Sequence, residues 1–338
     1  MKKVLCIPTK KHIDYVFSKE TLEELKNRFD VTFNPLDRDY ASKEVAAKIK
    51  GFDALITGWG SPVLTAEVFE NADKLRIIVH SAGSIKSRIP REVVERYVLP
   101  RGIRVCNAPK AIAYNVAETT IGLLIMLGHR LFDHVMYVRE SGAWQDPSIP
   151  REVLTINGST IGIVGASTVG REVIRLLKPF EAKILVYDPY LPDSEAEKLD
   201  VEKTSLEELF RRSDFVSVHA PMTEETYHMI GEPQLKLLHD GAVLVNTSRG
   251  KVIDQEALVE ECKKGKIFVA LDVTDPEPLP ADSPLRKLKN VIITPHIAGT
   301  GRYGAKKIGE MTLKALIDFF DGREIENEVD LSKYDILA

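Results

Sequence analysis

The sequence predicts an α/β fold built from two doubly wound parallel-sheet domains, and three observations predict it. Strand-like apolar segments alternate with helix-like periodic ones through the first hundred residues, and a second alternating series fills residues 160–296. The second series opens on STIGIVGASTVGREVIRLL (159–177), an apolar strand that runs into a glycine-punctuated turn and then a helix. Alternation of this kind buries strands on both faces and covers each face with helices.

In order, the first series reads VLCIP (4–8), a helical TLEELKNRF (21–29), VTFNP (31–35), a helical SKEVAAKIK (42–50), ALITGW (54–59), LRIIVHS (75–81) and IRVCN (103–107). An apolar helix is expected from Asn115 to Arg130. The second series supplies six strands: 160–165, 183–188, 215–220, 242–248, 267–273 and 291–296. Ser205 and Glu208 stand in capping-box spacing before one of its helices. The last amphipathic segment, 303–320, presents Ile308, Met311, Leu316 and Phe319 on one side and is expected to return to the first domain.

Bulk numbers narrow the class. With 338 residues, 44% hydrophobic and 28% charged, the chain suits a soluble protein of about two domains. Its net charge of -4 is interleaved, without the basic block that would track a phosphate backbone or a membrane surface. Cys6, Cys106 and Cys262 lack metal-ligand spacing and suit a reducing cytoplasm. No secretory leader is legible at the N-terminus, and the apolar run at 121–127 is short for a membrane span.

In the turn, Gly165 and Gly170 occupy the first and third positions of a G-x-G-x-x-G dinucleotide fingerprint, and Ser167 replaces the second. A serine narrows such a site without abolishing it, and its hydroxyl is expected to donate to a phosphate oxygen. Asp188 closes the next strand, 18 residues past Gly170, where an acid grips a ribose 2′-hydroxyl. Pro189 and Tyr190 follow, with no arginine for a 2′-phosphate, so the expected cofactor is NAD.

The carboxyl ends of the later strands carry His219, then Asn246-Thr247-Ser248-Arg249-Gly250, then Asp272 with Glu277, then Thr294-Pro295-His296. Ligand groups collect at that edge of a parallel sheet. Singly, His296 reads as a bonded loop histidine, Arg249 as a surface ion pair and Glu277 as a solvated acid; together they form a hydride-transfer set for a 2-hydroxy acid. Arg249 would hold the substrate carboxylate, His296 would move the hydroxyl proton, and Glu277 would favour and orient the imidazolium.

These blocks, with ALITGWGSP (54–62), RVCNAPKAIAYNVAE (104–118), HAPMTEET (219–226), VNTSRGKVID (245–254), ALDVTDPEPLP (270–280) and TPHIAGT (294–300), make the chain resemble the D-isomer-specific 2-hydroxyacid dehydrogenases over nearly its whole length. The resemblance implies two Rossmann/flavodoxin-like domains with an interdomain cleft: a substrate-binding domain from 1–108 plus 303–338, and an NAD-binding domain from 109–302. It also implies Arg249, Glu277 and His296 as the catalytic set. Dinucleotide contacts are implied at Gly165, Ser167, Thr168, Val169, Gly170, Asp188, His219, Ala220, Pro221, Thr226, Thr247, Ser248, Arg249, Asp272, His296, Ala298 and Gly299. Pairing through the NAD domains is implied by the same analogy.

The loop SAGSIKSRIP (81–90) departs from the family, which usually carries an Asn-plus-Asp stretch there. Backbone amides of Ala82 and Gly83 are expected to meet the substrate alongside Arg249 and His296. Lys86 and Arg88 raise the prospect of a second anionic group on the substrate, against the plainer reading of a solvated basic loop. Trp59 and Trp144 suit either a pocket wall or packed aromatics. Three rivals stand beside the dehydrogenase: an NAD(H)-sensing binding protein, a formate dehydrogenase, which needs no general base, and a metal-dependent dehydrogenase, for which no ligand spacing is present.

Overall fold

The computed structural model describes residues 1–336, which divide into two units, 1–112 with 300–336, and 113–299. In the first, strands β1 (Lys2–Cys6), β2 (Phe29–Phe33), β3 (Ala54–Thr57), β4 (Ile77–His80) and β5 (Arg104–Cys106) form a parallel sheet in the order β2-β1-β3-β4-β5. β3 and β4 are buried throughout, as strands covered on both faces must be. Helix Arg302–Phe320 packs on β4 and on helices Lys10–Val16 and Lys19–Arg28. Gly309 is required there, because a Cβ would stand 2.5 Å from the Val16 carbonyl oxygen. From the same helix, the Lys306 ammonium donates to the carbonyls of Asp14, Tyr15 and Phe17 at 2.8–3.0 Å, satisfying acceptors that the short helix leaves open at its C-terminus.

The second unit holds β6 (Thr160–Val164), β7 (Lys183–Tyr187), β8 (Glu202–Lys203), β9 (Phe215–Val218), β10 (Val243–Asn246), β11 (Phe268–Leu271) and β12 (Val291–Ile293), all parallel, in the order β12-β11-β10-β9-β6-β7-β8. The order reverses between β6 and β9, the switch point where doubly wound sheets bind ligands. Six of these strands match the sequence reading. β8 was missed because two residues are too short to show a period.

Helix Pro109–Gly128 starts six residues ahead of the expected Asn115; Pro109 at its first position lacks an N–H that would be unsatisfied there. The helix is also long and apolar enough to cross a membrane, contrary to the short run read from sequence, yet Ala117, Leu124 and Leu127 are buried in the core of the second unit. Helix Leu131–Ser141 was not foreseen. It has no buried residue, so it owes little to the packing that core periodicity reports.

Candidate functional site

The dinucleotide turn is built by close approach. Gly165 has φ +95°, and a Cβ there would stand 2.8 Å from the Ala220 nitrogen. At Gly170 a Cβ would meet the Gly165 carbonyl oxygen at 2.1 Å, so helix Thr168–Leu177 can sit against its strand only with glycine there. The helix's first-turn amides at Thr168 and Val169 have no intrahelical acceptor and mark the positive end of the helix dipole. An anion fits that end.

Ser167 caps this helix, its oxygen accepting from the Gly170 N–H at 3.3 Å. Its one proton goes to the His219 carbonyl at 2.9 Å, not to a phosphate as expected from the sequence. The serine therefore serves the turn itself, tying β6 to the end of β9. Asp188 accepts from the Ala166 N–H and the Tyr190 N–H, both at 2.8 Å, which fixes its carboxylate beside the turn with lone pairs to spare. Sequence reasoning missed Arg171, whose guanidinium donates to the Ala166 carbonyl at 3.1 Å and to Glu195 at 3.3 Å. A residue six places past the first glycine gives no sign in sequence that it folds back.

The 219–226 loop lies opposite. His219 is buried, its Nε2 2.8 Å from the Ser217 hydroxyl and its Nδ1 without a partner among the described residues. Burial pushes its pKa down to about 3, so the ring is neutral. Ala220 is buried and Pro221 half-buried. The Thr226 hydroxyl donates to the Pro221 carbonyl at 2.6 Å and holds the loop closed.

The remaining residues gather at the ends of β10, β11 and β12. Asn246 organises its own turn, accepting from the Ser248 N–H and hydroxyl at 3.0 and 2.9 Å and donating to the Arg249 carbonyl at 3.0 Å. Thr247 lies 2.9 Å from Thr120. Gly250 passes so near Thr274 that a Cβ would be 2.1 Å from its carbonyl oxygen, which draws the Arg249 turn against the loop carrying Glu277. Arg249 is exposed and its Nη1 donates to the Ser248 carbonyl at 2.7 Å, while burial of the guanidinium lowers its pKa and the Glu277 charge opposes that shift.

His296 Nδ1 lies 2.5 Å from a Glu277 carboxylate oxygen, and both side chains are about half exposed, at 50% and 42%. Glu277 accepts there, leaving Nε2 without a partner among the described residues. The backbone of His296 is left-handed, φ +54°, a conformation costing non-glycine residues roughly 1–2 kcal/mol. Its N–H donates to the Asp272 carbonyl at 2.9 Å and the Thr294 carbonyl at 3.0 Å.

Asp272, expected as a dinucleotide contact, turns its carboxylate to the protein. It is 2% exposed, and its carboxylate accepts from the Thr294 hydroxyl (2.5 Å) and the N–H groups of Ile297 and Ala298 (2.9 Å each). Both oxygens face the chain that bears His296. Helix Pro109–Gly128 braces the same segment, Thr119 donating to the Ala298 carbonyl at 3.2 Å and Asn115 to that of Gly299 at 3.0 Å. Spacing alone gave no signal for Thr119 or Asn115, which lie more than 170 residues away in the chain.

Ala82 and Gly83 belong to the first unit. The Ala82 N–H is already taken, donating to the His80 carbonyl at 2.7 Å, and the residue is fully buried, which removes it as a substrate donor. Gly83 is half-buried and keeps its amide uncommitted among the described residues.

Comparison with known proteins gives the family. Residues 121–298 match the family model of the D-isomer specific 2-hydroxyacid dehydrogenase, NAD binding domain. The chain is 38% identical to a glyoxylate reductase of Korarchaeum cryptofilum, over 91% of this chain and 92% of that one. It is 34% identical to a hydroxypyruvate reductase of Thermotoga maritima, over 88% and 94%. Among solved structures, a phosphoglycerate oxidoreductase from Rhizobium etli superposes with a TM-score of 0.81 at 29% identity, covering 98% of this chain and 99% of the other.

Proposed function

The chain belongs to the D-isomer specific 2-hydroxyacid dehydrogenase family and is an NAD-dependent oxidoreductase, and on that premise we propose that it interconverts a D-2-hydroxy acid and its 2-keto acid with His296 as acid/base. The observation that carries the reading is the 2.5 Å contact between His296 and Glu277, beside an accessible arginine.

Bound NADH supplies the hydride. His296 donates a proton from Nε2 to the carbonyl oxygen during reduction and takes it back during oxidation. Glu277 holds the ring through Nδ1 and stabilises the imidazolium. Arg249 binds the substrate carboxylate through its fork and polarises the reacting oxygen. Thr168 and Val169 offer amides to the pyrophosphate, with Gly165, Ser167 and Gly170 shaping the turn. Asp188 accepts from the ribose hydroxyls. Ala220, Pro221, Thr247, Ser248, Ala298 and Gly299 line the dinucleotide path, and Gly83 offers its amide to the substrate. NAD is favoured over NADP because the Asp188 carboxylate, held beside the turn by the Ala166 and Tyr190 N–H groups, repels a 2′-phosphate.

Small 2-oxo acids such as glyoxylate and hydroxypyruvate are the first candidates, from the relatives' names. The first unit is assigned the substrate-binding role. Three buried, unpaired cysteines suit a reducing cytoplasm. A homodimer through the second unit is supported by helix Leu131–Ser141, which exposes Leu131, Phe132, Val135 and Val138, with Trp144 just beyond. The test is a screen of 2-oxo acids with NADH and NADPH. Turnover with NADH and at least one such acid is expected; none with any of them refutes the assignment, and a clear NADPH preference refutes the reading of Asp188.

A further inference from the structure

The loop after β4 and the helical turn that follows it carry three basic side chains, and their surroundings differ. Lys86 places Nζ 5.9 Å from the centroid of the Tyr334 ring. Arg91 pairs with Glu95 at 2.8 Å. Arg88 is half-buried, and its guanidinium has no hydrogen bond or ion pair among the described residues. Its backbone is nevertheless braced: the N–H donates to Ile85 and the carbonyl accepts from Leu64, both at 2.8 Å, while the Tyr334 hydroxyl donates to the Ile89 carbonyl at 2.8 Å. A partly desolvated guanidinium with no counter-ion is costly, and a held loop keeps it from swinging freely into water.

Its neighbours sharpen the point. Arg88 lies near enough to His80 for its charge to oppose protonation of that ring. His80 is buried at the end of β4, Nδ1 2.8 Å from the Thr57 hydroxyl at the end of β3. His12 is buried beside them, Nε2 2.9 Å from Ser81. Burial holds both rings neutral, at about 3 for His80 and about 4 for His12. The carboxyl edge of this sheet thus offers polar side chains and one unpaired positive charge.

We propose that Arg88 is a specificity-determining residue that receives a second anionic group, carboxylate or phosphate, on the tail of the 2-oxo acid. The proposal rests on the assignment of the first unit to substrate binding. A guanidinium matches either oxyanion with paired N–H donors, which is why Arg88 and not the Tyr334-stacked Lys86 is chosen.

The experiment measures kcat/KM with NADH for glyoxylate and pyruvate, which carry one charge, for oxaloacetate, which adds a carboxylate, and for 3-phosphohydroxypyruvate, which adds a phosphate. Wild type, R88Q, R88K and K86Q are compared, with thermal melts to confirm folding. For R88Q, the ratio of kcat/KM for the preferred doubly anionic acid to that for glyoxylate should fall about 10-fold or more, through KM, as expected for loss of a hydrogen bond to a charged group. R88K should restore part of the ratio and K86Q should leave it unaltered. Whichever of the two arms responds identifies the anion. If the ratio holds in R88Q, or if the wild type favours glyoxylate over both doubly anionic acids, the proposal is overturned while the dehydrogenase reading stands. No turnover with any of the four fails both.

Discussion

Asp272 matters to His296 without touching it through a side chain. Its buried carboxylate gathers one hydroxyl and two backbone N–H groups from residues 294–298, and its carbonyl takes the His296 N–H. Such over-determination is what a left-handed, non-glycine backbone needs if it is to persist. D272N would set an amide N–H₂ against donors and leave one unsatisfied. We expect a stability loss of about 1–3 kcal/mol, read by denaturant unfolding, together with a fall in kcat; unchanged unfolding and kcat would contradict the clamp. From sequence, Asp272 reads as a polar residue at a strand end and, by resemblance, as a dinucleotide contact, with no sign of its hold on residues 294–298. Arg249, Glu277 and His296 were legible because a parallel sheet brings strand ends together, but a carboxylate turned inward gives the same sequence as one turned outward.

At the scale of the element, the strand–turn–helix at 160–177 was legible from Gly165 and Gly170, because each of these two stands where a Cβ would strike backbone. Backbone carbonyls cannot move aside as side chains can. G170A should therefore raise the Kd for NADH more than tenfold by about 1.4 kcal/mol per decade, and depress the melting temperature; NADH affinity equal to wild type would count against this account of the turn. Ser167 was misread, since its acceptor, the His219 carbonyl, lies 52 residues on and no local pattern reports it. S167A removes the cap and should cost about 1 kcal/mol of stability. An unchanged unfolding midpoint would show that the cap contributes nothing. Helix Leu131–Ser141 escaped for the opposite reason, since none of its residues is buried and Leu131, Phe132, Val135 and Val138 stay exposed.

For the whole molecule, six of the seven strands in the larger sheet could be read from apolar runs, and the two-residue β8 could not. Buried histidines were beyond reach, because sequence does not report burial. They are expected to contribute to the acid limit of the fold. His12, His80 and His219 are held neutral, with pKa values near 4, 3 and 3, whereas an unfolded imidazole titrates near 6.5. Below about pH 6.5 the unfolded chain takes up protons that the folded chain refuses, so stability is full above that pH and falls as pH drops towards 3–4, by about 1.4 kcal/mol per pH unit for each ring. A melting temperature that stays level from pH 7 to pH 4.5 would contradict this. F132D with V135D should yield monomers in sedimentation equilibrium if the exposed helix is the dimer contact; an unaltered mass excludes it. The most direct measurement pairs NADH binding, followed by fluorescence, with steady-state reduction of the best 2-oxo acid in wild type and H296Q. The account predicts that H296Q binds NADH within about threefold of wild type while its kcat falls by about 10²–10⁴; kcat equal to wild type would remove His296 as the acid/base and, with it, the mechanism proposed for the site.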